Sequence, residues 1–287
     1  MILTTFFTIY GNSHIDLASL TIESIKNQSI KSEILVVEVN EVRQVKNEGI
    51  EHVLIKPSKK LTPSLLKNIA LKSIKTEYAY STDADILFYE RDYLEKIIEL
   101  ASEGVAIKPS LKRFPIQEKD KLIELSNKQD FNEILQSLKI NKYVASLSGS
   151  NHDIIPHLTG KRQATTTIKE FNEYINHPSR RGREPFYFQL LYHAGAICCK
   201  TKLFKDVGGY FEGFINWGYE DKDLRLKLSK ISPLIELKND YEVIHVDHKR
   251  GYFCQDSFKR NTTLFDIRSK SDISNIIKED KLKNGFN

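Results

Sequence analysis

Three clusters of side chains along this sequence have the types and spacing that chemistry uses. The first is Asp83-Ala84-Asp85. In an extended segment residues i and i+2 point to the same face, which would turn both carboxylates toward one ligand. Hard oxygen donors at a strand end suit Mg²⁺ or Mn²⁺, and such an ion commonly bridges phosphates as well as protein groups. A solvated turn accounts for an isolated D-x-D equally well. The second cluster is His245 and His248, an H-x-x-H at the end of a strand-like run. Imidazole binds Mn²⁺ acceptably, so one of the two would complete a site with Asp85; a surface histidine pair without a role is the plain alternative. The third is Trp217-Gly218-Tyr219-Glu220-Asp221-Lys222-Asp223. Acidic residues in the first turn of a helix are stabilised by its macrodipole, which accounts for all three carboxylates. It does not account for the chain's only tryptophan standing just before them. A tryptophan beside a carboxylate is what a sugar site needs, the ring stacking on a pyranose face while the carboxylate accepts a hydroxyl proton.

These clusters need elements to hold them. Ile2 to Tyr10 is β-branched and aromatic and predicts a buried strand. Gly11-Asn12 breaks it, and Ser13 with Asp16 reads as a capping box for a helix with Ile15, Ala18, Ile22 and Ile25 at helical spacing. The apolar run Ile34 to Val37 predicts a strand ending in Glu38, and His52 to Ile55 a short one. Pro63 suits the first turn of a helix carrying Leu65, Leu66, Ile69 and Ile74. Tyr78 to Ser81 predicts the strand that runs into the acidic pair. Strands alternating with helices argue for βαβ units and a largely parallel sheet. Ligands of such sheets sit beyond the carboxyl ends of strands, where Glu38 and Asp83/Asp85 fall. Residues 109–185 are polar, with one helix expected over Phe131–Leu138 and an exposed basic loop over 176–183. Phe186–Cys199 is strand-like, and a short helix over Lys202–Val207 is stopped by Gly208-Gly209. A charged helix is expected from Glu220 to Lys230, a strand over Tyr241–Val246, and a polar tail with a weak amphipathic helix near Ile273, Ile276 and Ile277.

Composition narrows the class. The 287 residues are 40% hydrophobic and 28% charged, which is globular and excludes a disordered or fibrous chain. No apolar run approaches the ~18 residues of a membrane span. The N-terminus lacks a basic n-region and a small-residue cleavage site, so it reads as a strand and not as a signal peptide. Three cysteines in no metal spacing suit a reduced cytosolic compartment, with Cys198 and Cys199 expected in the core. The net charge of +5 suits a polyanionic ligand or a membrane surface; with no aromatic-interleaved basic motif it argues against nucleic acid.

Taken in order, a first strand and helix, an acidic strand end, D-x-D, the segment VGGYFEGFINWGYEDKDL and a late histidine pair resemble the GT-A fold glycosyltransferases. The likeness is to the β-1,4-galactosyltransferase family and to bacterial family 2 and chondroitin-synthase-type enzymes, and it covers Met1 to about Cys254. The resemblance implies a GT-A, Rossmann-like, mixed and mostly parallel sheet flanked by helices in a single catalytic domain over 1–255, with 256–287 as a C-terminal helical tail. It implies Asp221 as catalytic base, Glu220 as its acceptor-binding neighbour, and Trp217 stacking on sugar. Asp83 would lie near the ribose or donor sugar. Asp85 and His248, with His245 three residues earlier, would hold Mn²⁺ or Mg²⁺. Glu38 would hold uracil, Lys67 and Asn68 would reach the nucleotide, and Tyr10 and Asn12 would flank the donor. Tyr192 and Gly195 fall at the sugar pocket, but Tyr192-His193-Ala194-Gly195 replaces an aromatic-Gly-Gly, which leaves donor selectivity open. The usual proline before Tyr10 is missing, and Lys222 stands where the galactosyltransferases have a third acidic residue.

The implied activity is metal-dependent, inverting transfer of a hexose or N-acetylhexosamine, galactose type favoured, from a UDP-sugar. The acceptor would be an oligosaccharide or lipid-linked glycan of a bacterial surface polysaccharide or glycolipid, with the chain in the cytoplasm and peripheral to the inner face of the membrane. Two other classes compete. A nucleotidyltransferase would want a Gly-rich basic loop after the first strand, and Gly11-Asn12-Ser13 is too sparse. A degenerate nucleotide-sugar or glycan-binding module would be expected to have lost Asp221 or the D-x-D, and both are present.

Overall fold

The structure is a computed structural model that describes residues 1–12, 14–114, 191–192, 195–216, 218–236, 242–246 and 254–286. The strands are β1 (Leu3–Tyr10), β2 (Glu33–Val39), β3 (Glu51–Ile55), β4 (Tyr78–Ser81), β5 (Ile86–Leu87), β6 (Ala106–Lys108), β7 (Ser110–Phe114), β8 (Leu191–Tyr192), β9 (Ile197–Lys200), β10 (Leu234–Glu236) and β11 (Glu242–Val246). The helices are α1 (Ile15–Lys26), α2 (Pro63–Ser73), α3 (Tyr93–Ser102), α4 (Thr201–Asp206), α5 (Glu220–Ile231), α6 (Gln255–Lys270) and α7 (Ile273–Asn284).

Seven strands form the main sheet in the order β10-β6-β9-β4-β1-β2-β3. β1 to β4 run parallel, β9 lies antiparallel between β4 and β6, and β10 runs parallel to β6. A smaller sheet has the order β5-β11-β7-β8. The expected mixed, mostly parallel sheet flanked by helices is the one observed. Both faces of its central strand are covered, which is why β1 is a nearly unbroken apolar run rather than an alternating one. One face packs Phe7, Ile9 and Tyr80 against Ile22 of α1 and Leu94 and Ile97 of α3. The other packs Phe6, Leu35 and Val37 against Leu66 and Leu71 of α2, Phe204 of α4, and Leu224 and Leu228 of α5.

Local chemistry explains most element boundaries. Thr62 caps α2 by accepting the Leu65 N–H at 3.2 Å, with Pro63 in the first turn as its fixed φ allows. Gly208 and Gly209, at φ 76° and 65°, end α4 in the left-handed conformation that L side chains avoid. The expected capping box before α1 is not formed. His14 holds the N-cap position, and its side chain makes no capping bond, so Asp16 is the second helical residue and falls one short of the place where a box needs its acid. The helix expected over 131–138 and the basic loop over 176–183 lie outside the described residues.

Residues 255–284 form a helical pair, α6 and α7, where the sequence pattern showed a weak amphipathic stretch and the resemblance implied a helical tail. Its inward positions are largely polar. Ser257, Asn261, Phe265 and Arg268 form the buried face of α6, and Asp280 and Asn284 are buried on α7. Arg268 reaches Asp223 of α5 with two bonds (Nε–Oδ1 2.6 Å, Nη2–Oδ2 3.0 Å) and Asp280 with a third at 2.7 Å. Lys227, wholly buried, donates to Asp280 at 2.6 Å and to the Gly209 carbonyl at 2.7 Å. This interlocked set of charges fastens the helical pair to the back of α5.

Candidate active site

The chain leaves β1 for β2 on one side and returns through β4 on the other, so the carboxyl ends of β1 and β4 flank a topological switch point. The register pairs Phe6 with Ser81, and the Thr82 N–H donates to the Phe6 carbonyl at 3.0 Å. Tyr10, Gly11 and Asn12 therefore end one side of this edge, and Asp83 begins beyond the other. Tyr10 is 56% exposed, and Asn12 accepts from Asn40 Nδ2 at 2.6 Å.

The acidic pair does not act as the sequence predicted. The strand stops at Ser81, and the chain turns at Ala84-Asp85 into β5, so the two carboxylates do not share the face of one extended segment. Asp83 lies against Gly195, where a Cβ would stand 2.5 Å from Asp83 Oδ2; only glycine leaves room for that carboxylate. Asp85 turns instead to His245 of β11, whose Nε2 is 3.3 Å from Asp85 Oδ2. The backbone fixes this pair, because Val246 N–H donates to the Asp85 carbonyl at 2.9 Å and His245 stands opposite Ile86 in the β5–β11 ladder.

Asp221 and Glu220 open α5, where the helix dipole favours negative charge. Lys67 of α2, nearly buried, reaches across to Asp221 Oδ1 at 2.7 Å and stands over the Tyr210 ring, 4.9 Å from its centroid. Asp221 keeps 17% of its side chain exposed. Burial pulls the Lys67 ammonium down, but the Asp221 carboxylate, with Tyr210, Asp83 and Glu220 behind it, outweighs burial and holds it well above the usual lysine range. Glu220 is buried and accepts the Gly218 N–H at 3.0 Å. Burial, then the neighbouring charge of Asp221, raises its carboxyl to about 7, against the pull of Lys67. Glu220 thus holds its proton to a higher pH than an ordinary carboxyl, as a hydrogen-bond donor requires.

Two residues expected at the nucleotide have their polar groups engaged inside the protein. Glu38 is wholly buried; its oxygens accept from Gln44 N at 2.9 Å, Val45 N at 3.3 Å and His52 Nε2 at 2.7 Å. Burial favours its proton, but the His52 bond and the two backbone bonds prevail and lower its pKa. Glu38 thereby shapes the 40–45 loop beyond β2, and the expectation that its carboxylate grips a base does not match this geometry. Asn68 is likewise buried. Its amide donates to the Tyr210 carbonyl at 2.8 Å and to Glu212 Oε1 at 2.9 Å, and accepts from Tyr210 N at 2.8 Å. It positions Tyr210, whose hydroxyl donates to Ser81 Oγ at 2.9 Å, and so ties the end of β4 to the segment under Lys67. Tyr210 and Ser81 were not singled out in the sequence; Gly208-Gly209 just before Tyr210 was the available signal.

Tyr192 stands in β8 opposite Ser110 of β7. Trp217, His248 and the side chain of Tyr192 lie outside the described residues, and among the described residues no three His, Cys, Asp or Glu side chains gather as a metal site. The two donors present still fit one. Adjacent ligands about 2.1 Å from an octahedral ion stand about 3 Å apart, close to the 3.3 Å between Asp85 and His245. One carboxylate with one imidazole is a donor set that suits Mn²⁺ better than the all-oxygen preference of Mg²⁺.

Comparison with known proteins agrees with this architecture. The fold is of the GT-A type. A mannosyltransferase from Pyrobaculum calidifontis, solved with GDP-Man and Mn²⁺, superposes with a TM-score of 0.50 at 16% identity, over 88% of this chain and 58% of its own. TarS 1–349 from S. aureus superposes with a TM-score of 0.52 at 12% identity, over 99% of this chain and 72% of its own. The chain thus spans little more than half the length of the archaeal enzyme. Residues 185–249, which contain Gly195, Trp217, Glu220, Asp221 and both histidines, match a family model described as the N-terminal domain of galactosyltransferase. No curated protein matches the chain.

Proposed function

We propose that this chain is a metal-dependent, inverting glycosyltransferase that moves a hexose or N-acetylhexosamine from a UDP-sugar to a glycan hydroxyl. The observation that carries the reading is the ion pair between Lys67 and Asp221 at the head of α5, with Asp83, at the switch point of a GT-A sheet, close enough to act on Lys67 and Glu220. Transfer asks two things of the protein: removal of a proton from the acceptor hydroxyl and stabilisation of a departing diphosphate. Lys67 holds Oδ1 of Asp221, and among the described residues Oδ2 makes no hydrogen bond. Asp221 Oδ2 takes the acceptor proton as the acceptor oxygen bonds to the anomeric carbon. The carbon–oxygen bond to the diphosphate breaks with its electron pair going to UDP, and attack from the opposite face inverts the centre. Glu220, protonated near neutral pH, donates a hydrogen bond to the acceptor. Asp85 and His245, with His248, hold Mn²⁺, which when bound supplies Lewis-acid charge to the diphosphate.

Around this centre, Asp83 contacts the ribose or donor sugar, Gly195 and Tyr192 border the sugar pocket, and Trp217 stacks on sugar. Tyr10 and Asn12 flank the nucleotide. Lys67 and Asn68 contribute at the nucleotide side through Asp221 and Tyr210, and Glu38 through the loop it holds. The acceptor is an oligosaccharide or lipid-linked glycan, and no described helix is long and apolar enough to cross a membrane.

The test is nucleotide release from a panel of UDP-sugars, with GDP-mannose as a further arm, in Mn²⁺ and then in EDTA. Release from one UDP-sugar, abolished by EDTA and lowered about 10²–10⁴-fold in Asp221→Asn with donor binding retained, is expected. Release from GDP-mannose alone would replace the donor class. Binding without release from any donor would leave the fold with a binding role only, and absence of both would refute the reading.

A further inference from the structure

The loop that delivers Glu220 and Asp221 to the site has an unusual backbone. Asn216 and Tyr219 have φ of 54° and 76°, and Gly218 has φ of 109°. Side chains other than glycine hold such angles only where the surroundings over-determine them. Those surroundings belong to α6. Asn261, wholly buried, donates from Nδ2 to the Ile215 carbonyl at 2.8 Å and to the Gly218 carbonyl at 3.2 Å, and accepts from Ile215 N at 3.2 Å. Ser257, one turn earlier, accepts from Asn216 Nδ2 at 2.6 Å. Thr262 donates to the Tyr219 hydroxyl at 3.0 Å, and the Tyr219 ring packs between Phe258 and Phe265, with centroids 5.5 and 5.2 Å away. The same helix grips α5 itself through Arg268 and Asp223.

We infer that Asn261 is a positioning residue of the catalytic centre, its one amide setting both ends of the 215–218 segment so that α5 begins with Glu220 and Asp221 facing Lys67 and Asp83. Helix α6 lies beyond the 185–249 stretch that matches the galactosyltransferase model, and it is a working part of the site rather than an appended tail. The role of Asn261 in catalysis rests on the function proposed above; its role in ordering the loop does not.

The variant Asn261→Asp keeps the shape and the acceptor oxygen but removes both donors and sets a carboxylate against two carbonyls. Ile276→Ala, at a buried position of α7, is the control that lowers stability while leaving every hydrogen bond of the loop named above in place. Three readings are taken on each: melting temperature, UDP affinity in Mn²⁺, and UDP release from the donor that the wild type uses. Asn261→Asp is expected to slow release by about 10²-fold with UDP affinity within about twofold, because small misplacements at a reacting centre act on rate and not on remote binding. Ile276→Ala is expected to keep the wild-type rate below its melting temperature. Trp217 is the only tryptophan and lies within this loop in sequence, so its emission reports the loop independently of activity. It is expected to shift in Asn261→Asp and to stay in Ile276→Ala. A wild-type rate with unchanged emission in Asn261→Asp, or equal changes in both variants, overturns the inference. If the wild type neither binds nor hydrolyses any nucleotide sugar, the proposed function falls and the emission alone decides whether Asn261 orders the loop.

Discussion

Glu220 makes a prediction about how stability depends on pH. Its carboxyl is buried beside Asp221 and holds its proton to about 7, while an ordinary glutamate ionises near 4.5. Between those values the folded protein keeps a proton that the unfolded chain has lost. The contribution of this group is therefore fully present below about pH 4.5 and drains away as the pH rises through about 7. A displacement from 4.5 to about 7 corresponds to about 3 kcal/mol, shared through coupling with Asp221 and Lys67. Glu220→Gln removes the ionisation, and its carbonyl still accepts the Gly218 N–H that Glu220 accepts at 3.0 Å. Above pH 8 the variant is expected to be more stable than the wild type by up to about 3 kcal/mol, or about 5–10 °C in melting temperature. At pH 4.5 the two are expected to coincide, and sugar transfer in the variant is expected to lose the decline above about pH 7 that ionisation of Glu220 imposes on the wild type, because the amide still donates. The assay is a series of denaturant or thermal melts of both proteins from pH 4.5 to 8.5. A variant less stable than the wild type at pH 8, or a difference that does not change with pH, would refute the reasoning, for Lys67 would then stabilise an ionised Glu220 by more than burial opposes it.

Asp85→Asn is expected to abolish Mn²⁺ binding and nucleotide release with it, while leaving the melting temperature of the metal-free protein near the wild-type value; titration of Mn²⁺ followed by calorimetry checks this. Gly195→Ala places a methyl against the Asp83 carboxylate, so the expected result is a higher KM for the donor with a folded protein by circular dichroism, read from initial rates. Lys227→Met leaves Asp223 and Asp280 buried with one cation fewer, and a loss of about 3–5 kcal/mol in denaturant melts is expected.

Much of the sheet was legible in order because its strands are covered on both faces. Burial on both sides forces unbroken apolar runs such as Phe6-Phe7 and Leu35-Val36-Val37, which read as strands without knowledge of their neighbours. Helices α2, α4 and α5 were legible from Pro63, Gly208-Gly209 and the acidic first turn at Glu220, since termini are local chemistry. Helix α6 was expected only through the helical tail that the resemblance implied, because its inward face is Ser257, Asn261, Phe265 and Arg268, and a buried face made largely of polar residues carries no apolar period.

The same division runs through the site. Residue types and their order along the chain sufficed to pick out Asp83, Asp85, Glu220, Asp221 and His245, because the chemistry of a carboxylate or an imidazole travels with the side chain. What each group faces was decided only in three dimensions. The turn at Ala84-Asp85 sends Asp83 to Gly195 and Asp85 to His245, residues more than a hundred positions away. Lys67 meets Asp221 across 154 positions, and Asn68 closes on Tyr210 across 142. Glu38, at the expected strand end, turns inward because the backbone N–H groups of Gln44 and Val45 and the ring of His52 solvate its carboxylate. A sequence states which groups can hold a charge or a proton; partners and burial set which of them do, and both are properties of the packed chain.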